Sequence, residues 1–317
     1  MTAVKLIPQS FYSFVPIILC CVILLHYIHH LRNEKHLEIA ESEKELESAR
    51  IAEKPSIYRK IDMVSSFNLL CDFKGSYGKS ICEEPDDEKL SEIIAKEYLD
   101  RPTGVPYSFD NNPPKLNGQI GAPQIVDKLL RGKRDGFFIE SGAYDGETIS
   151  NSLFFELERN FTGLLVEPNQ LDYPKLLAKH RKVTSINACY SMTPLPTLVD
   201  FMNSDVLSGI QSLKTTDEIT YIKEQGEKLG FSKSKVLCFP FYSILLAMGN
   251  PTVDYFSLDV EGAELPILES IPWDKVDIKI LSIEVNHGDG SKIDAFIKSK
   301  GYKKVHQLDF DNIYEKL

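Results

Sequence analysis

From Gly136 to the C-terminal Leu317, short apolar runs alternate with helical segments, and no other feature constrains the fold as strongly. GFFIES (136–141), TGLLVE (162–167) and VTSINA (183–188) are separated by ETISNSLFFELERN and NQLDYPKLLAKHR, both helical in spacing. VDYFSLDV (253–260) and IKILSIEVN (278–286) follow, with ELPILESIPW between them. Runs of four to eight apolar residues joined by helices imply parallel strands with crossover connections. GYKKVHQL (301–308) and DNIYEKL (311–317) read as a terminal strand pair. The expected architecture is an open, doubly wound α/β sheet of about seven strands.

Ligands of such sheets bind at the carboxyl ends of the strands, near the point where strand order reverses. The acidic residues of this chain fall at those ends. Glu140 closes the first run and leads into Ser-Gly-Ala-Tyr-Asp-Gly, with Gly142 and Gly146 four apart. That is G-x-x-x-G, which permits a tight turn and close ligand approach, and not the G-x-G-x-x-G of a pyrophosphate cradle. Glu167 closes the second run, where a carboxylate can accept hydrogen bonds from both hydroxyls of a ribose. Asp259 and Glu261 lie at the end of the fourth run and His287 just past the fifth. All three are candidates to take a proton from an acceptor group. Neither Asp-x-Glu nor the histidine makes a complete ligand set, so no required metal is expected.

The N-terminal part reads differently. FYSFVPIILCCVILLHYI (11–28) carries no Asp, Glu, Lys or Arg. Crossing a bilayer takes roughly 20 apolar residues. The run ends in HYIHHLRNEK, without the small-residue site that a cleaved signal peptide needs. The expectation is an uncleaved signal-anchor over 11–30 behind a cytosolic tail of 1–10, contacting the lipid bilayer. Lys5 precedes the span and Arg32 and Lys35 follow it, so the positive-inside rule barely sets its orientation. Residues 31–54 read as a solvated helical stalk, and 31–114 as a whole as stalk and linker with local helices. The domain proper is expected over 115–317. A net charge of −10 excludes a nucleic-acid footprint. Outside the span four cysteines remain, and Cys71 with Cys82 and Cys189 with Cys238 are the expected pairs. Asn160-Phe161-Thr162 is an N-glycosylation sequon.

FFIESGAYDGETISN, GLLVEPN, VTSINACYS, VDYFSLDVEGAELPIL and LSIEVN together resemble the FkbM-type methyltransferase family, over roughly Gln119 to Leu317. DVEGAE, Asp259 to Glu264, is the most specific of these segments. The resemblance is strongest to the family's Star-like, membrane-anchored arthropod branch, through CFPFYSILLAMGNPTVDYFSLDVEGAELPILESIPW. It implies a Rossmann-like sheet of methyltransferase type and an S-adenosylmethionine pocket lined by Glu140, Gly142, Ala143, Asp145, Gly146, Glu167 and Asn187. It also implies a lumenal domain on a type II anchor in endoplasmic reticulum, Golgi or endosomal membranes, moving membrane cargo proteins. Methyl transfer to an unknown hydroxyl or carboxyl group is the alternative. Bacterial members usually read GAN in the first loop and carry Lys before DVEG, where this chain has Tyr144 and Ser257.

Overall fold

In the computed structural model, residues 63–204, 207–229, 231–287 and 290–317 are described, with the backbone alone for 225–229. The anchor expected over 11–30 and the stalk from 31 to 54 lie outside these residues. Among the described residues no helix is long and apolar enough to cross a membrane.

The strands are β1 (Leu99–Asp100), β2 (Phe137–Ser141), β3 (Thr162–Val166), β4 (Thr184–Ile186), β5 (Cys189–Tyr190) and β6 (Thr197–Asn203). They continue as β7 (Gly209–Ile210), β8 (Ser232–Phe239), β9 (Val253–Leu258), β10 (Ile278–Glu284), β11 (Tyr302–Gln307) and β12 (Asp311–Lys316). The helices are α1 (Met63–Cys71), α2 (Asp87–Ile93), α3 (Ala122–Leu129), α4 (Leu153–Arg159) and α5 (Tyr173–Ala178). After them come α6 (Thr216–Leu229), α7 (Phe241–Ala247), α8 (Glu264–Ser270) and α9 (Gly290–Ser299).

Every residue of β2 and β9 is buried, which is why these runs are continuously apolar instead of alternating. Side chains still alternate between the two faces. Phe137 and Ile139 join one core cluster with α7, α8 and α9, while Phe138 joins the other with α3, α4 and α5. The large sheet runs β1-β4-β3-β2-β9-β10-β12-β11. β4, β3, β2, β9 and β10 are mutually parallel, and β12 lies antiparallel between β10 and β11. From β2 the chain moves outward to β3 and β4, then returns to the other side of β2 as β9. Strand order therefore reverses between β2 and β9, and the crevice opens there.

Seven of these eight strands are the runs read from the sequence. The eighth, β1, adds to the edge from the segment read as linker. A second sheet, β5-β8-β6-β7, was not expected. Its long strand β8 is SKSKVLCF, polar and partly exposed in its first half, so it shows no continuous apolar run. The described residues, from Met63 onward, belong to one compact unit. Leu70, Ile81, Leu90, Ile93 and Ile94 of the stalk-and-linker stretch are buried in its core. The Ser243 hydroxyl of α7 donates to Asp87 of α2 at 2.8 Å. Cys71–Cys82 and Cys189–Cys238 are both disulfides, the second joining register partners of β5 and β8.

The turn-rich stretch ahead of α3 is held by one buried carboxylate. Glu147 accepts from the Asp110 amide at 2.6 Å and the Asn111 amide at 2.8 Å, and pairs with Lys179 at 2.9 Å. Burial works against the charge, but the hydrogen bonds win and bring this carboxyl from the ordinary 4.5 to about 2. Its stabilising contribution is therefore complete above the unfolded value and disappears as pH falls towards 2. Glu147→Gln is expected to cost about 2 kcal/mol near neutrality, the scale of hydrogen bonds to a charged group. Urea melts of both proteins across acid pH would measure this. The difference should shrink below pH 4.5, and a gap constant with pH would contradict the assignment.

Candidate functional site

Loops following β2, β3, β9 and β10 converge at the carboxyl edge of the sheet. Gly142 has φ +80°, and a Cβ there would stand 2.0 Å from the Asp259 carbonyl oxygen. Only a glycine lets the β2 and β9 loops touch in this way. Asp145 then bends the loop, accepting from the Glu147 and Thr148 amides at 2.9 and 2.7 Å. The Gly146 carbonyl accepts from Arg181 at 2.5 Å. Glu140 accepts from the Ser150 hydroxyl (2.8 Å), the Asn151 amide (2.6 Å) and the Ser152 hydroxyl (2.5 Å), fixing the entry into α4.

Glu167, at the end of β3, accepts from the amides of Tyr144 and Asn169, each at 2.7 Å. Burial pushes its carboxyl up to about 8, against the pull of both amides, which favour the charged form. A carboxylate has about four acceptor sites, so two backbone donors leave room for more. Asn187 braces this turn from behind, donating to the carbonyls of Glu167 (2.8 Å) and Pro168 (3.2 Å).

Beyond β9 and β10 the side chains are mostly acidic. Asp259 and Glu284 face each other, and burial raises both carboxyls, with help from the charge of Glu261. Glu261 sits at φ +59°, a costly left-handed position for a residue with a side chain. The turn is shaped by Glu264, which accepts from the Val260 and Gly262 amides at 3.0 and 3.1 Å. His287 Nε2 lies 2.9 Å from Glu261 and its Nδ1 lies 3.3 Å from Glu218 of α6. The hydrogen bond to Glu261 raises the imidazole above its ordinary value, with burial opposing. Lys214, whose side chain is 2% exposed, donates to the Glu261 carbonyl at 3.2 Å.

At this edge lies a cleft of about 290 Å³. Of the residues expected from sequence, Gly142, Glu167, Asp259, Glu261 and His287 line it. Glu140 and Ala143 instead border a neighbouring cavity of about 20 Å³. Asp145, Gly146 and Asn187 line neither and act on the walls. Asn160 is exposed at the end of α4 in the left-handed region, and its amide donates to Asp135 at 2.5 Å. Glu284, Lys214 and Glu218 were not singled out in the sequence. The rule that selected Glu140 and Glu167, an acid closing a buried run, also selects Glu284. No local signal marks Lys214 or Glu218, which the second sheet and α6 bring in from far along the chain.

The family profile described as "Methyltransferase FkbM domain" matches residues 140–304, about half of the chain and all four of these loops. No curated protein matches. Among solved structures the chain is similar to a precorrin-6y C5,15-methyltransferase from Geobacter metallireducens, at 13% identity and a TM-score of 0.34. The likeness covers 68% of this chain and 100% of that one. So distant a likeness bears on neither site nor substrate.

Proposed function

This chain belongs to the FkbM-domain methyltransferase family, and from that premise we propose that its cleft binds S-adenosylmethionine and transfers the methyl group to a hydroxyl or carboxyl oxygen. The observation that carries this reading is the row of carboxylates Glu167, Asp259, Glu261 and Glu284 along one cleft at the switch point. A cationic sulfonium bound in this row would favour the charged form of carboxyls that burial otherwise raises, and Glu167 suits ribose hydroxyls as acceptor.

The donor supplies an electrophilic methyl carbon. In the step proposed, a C–O bond forms as the C–S bond breaks, and the sulfur leaves with the electron pair as a neutral thioether. A hydroxyl acceptor must also lose its proton. Asp259 borders the cleft just past β9, the strand next to β2, and is the group assigned to receive it. Glu167 holds the nucleoside and Gly142 allows close approach, so the chain's main task is alignment.

Glu167→Ala is expected to weaken donor binding about tenfold, from the loss of two ribose hydrogen bonds worth about 0.5–1.5 kcal/mol each. Titration calorimetry with S-adenosylmethionine measures it. Equal affinity in wild type and variant would remove Glu167 from the site.

A second reading is that the domain binds donor with little turnover and serves secretory-pathway trafficking, as the Star-like branch of the family would. Tyr144 favours it, because this bulky side chain lines the cleft beside Glu167. Two disulfides suit the oxidising lumen that this reading requires. It rests further on the anchor at 11–30 and on a glycan at Asn160.

A further inference from the structure

We propose that Glu261, Glu284 and His287 form a binding site for one divalent first-row transition ion, of the Mn²⁺ type. One ligand atom from each lies within 4.8 Å of the other two. Donors bound to one ion at about 2.1 Å stand at most about 4.2 Å apart, so movements of a few tenths of an ångström close the set. Two carboxylates and one imidazole are a mixed oxygen and nitrogen set, which suits Mn²⁺ or Zn²⁺ better than Mg²⁺ or Ca²⁺.

Three observations point to a cation rather than to a self-contained acidic turn. The Glu284 side chain is only 7% exposed, borders the cleft and faces the Asp259 carboxyl; Asn286 donates to its Oε1 at 2.9 Å, while its Oε2 is buried and has no N–H or O–H donor among the described residues. A buried acceptor left in that state is costly unless something binds it. Acidic groups also converge on this corner: Asp259, Glu261 and Glu284 all border the cleft, while the nearby Lys214 lies 3.7 Å from Glu261 and outside the lining. Glu264 is taken up by the turn amides. A divalent ion would favour the charged form of carboxyls that burial otherwise holds neutral. Lastly, Glu218 stands on the far side of the imidazole at 3.3 Å from Nδ1, and is itself fixed by the Thr215 amide and hydroxyl, each at 2.7 Å. That carboxylate directs the ring proton to Nδ1 and turns Nε2 towards Glu261 and Glu284, the outer arrangement typical of metal-bound histidine.

Asp-x-Glu and the histidine by themselves make no ligand set; Glu284, at the end of β10, adds the further carboxylate. An ion here would sit beside Asp259, where it can polarise an acceptor oxygen. The site stands on these side chains and does not depend on donor binding, so it is tested without S-adenosylmethionine. The probe is Mn²⁺ titrated into the full chain, with the free-ion electron paramagnetic resonance signal as readout. Loss of signal at micromolar concentrations with one ion per chain is expected. Glu284→Gln and His287→Gln should each weaken binding at least tenfold, and Glu218→Gln roughly tenfold through the imidazole. Circular dichroism melts check that each variant is folded. Should Glu284→Gln unfold, His287→Gln, on a partly exposed loop, decides alone. An undiminished free-ion signal overturns the proposal, and so does binding that neither Glu284→Gln nor His287→Gln weakens.

Discussion

Asp259→Asn is expected to lower methyl transfer by roughly 10²–10⁴-fold, the usual contribution of a positioned proton acceptor. The substitution keeps the shape of the side chain and removes its capacity to take a proton. Donor affinity should fall far less than the rate, because Glu167 is assigned to the nucleoside and Asp259 is only one of four carboxyls around the sulfonium. The pairing of lost rate with retained affinity is what separates a proton acceptor from a residue that merely shapes the pocket. Single-turnover transfer of a labelled methyl group, once an acceptor is in hand, provides the rate. A rate unchanged within a few-fold would pass the role to another group.

Gly142→Ala should have the largest effect on the fold. Its Cβ would fall 2.0 Å from a backbone oxygen, which cannot swing aside as a side chain can. The left-handed φ of +80° adds strain. Together these should cost about 3–5 kcal/mol, a fall of roughly 10 °C in Tm for a unit of this size. Gly146→Ala is the control. It shares a positive φ, but its Cβ would meet Leu176 Cγ at 3.1 Å, a contact that a flexible side chain can relieve. That variant should lose about 1–2 kcal/mol. Equal losses at both positions would mean that the approach of the β2 and β9 loops is not what demands Gly142.

The large sheet was legible because five parallel strands buried on both faces leave continuous apolar runs, and because the acids closing β2 and β3 break those runs abruptly. Glu140 shows the limit of that inference. It has the expected place in sequence, yet its carboxylate is engaged by Ser150, Asn151 and Ser152 and borders the smaller cavity. Sequence position fixes where a strand ends but not which way a side chain turns from it. The second sheet escaped notice since β6 and β8 are half exposed and their patterns mix. With it went Lys214 and Glu218, whose positions near Glu261 and His287 depend on non-local packing. The segment from Met63 to Asp100 carried the marks of helices and of a disulfide loop. Nothing local in it told that Leu70 and Ile94 would be buried against the sheet.

The most direct test of the cleft is an experimental structure of the chain with S-adenosylhomocysteine, the product that methyl transfer would leave. The account predicts the ribose hydroxyls on Glu167 and the sulfur turned towards Asp259. Absence of the ligand from the cleft at millimolar concentration, or its binding away from Glu167, would contradict it.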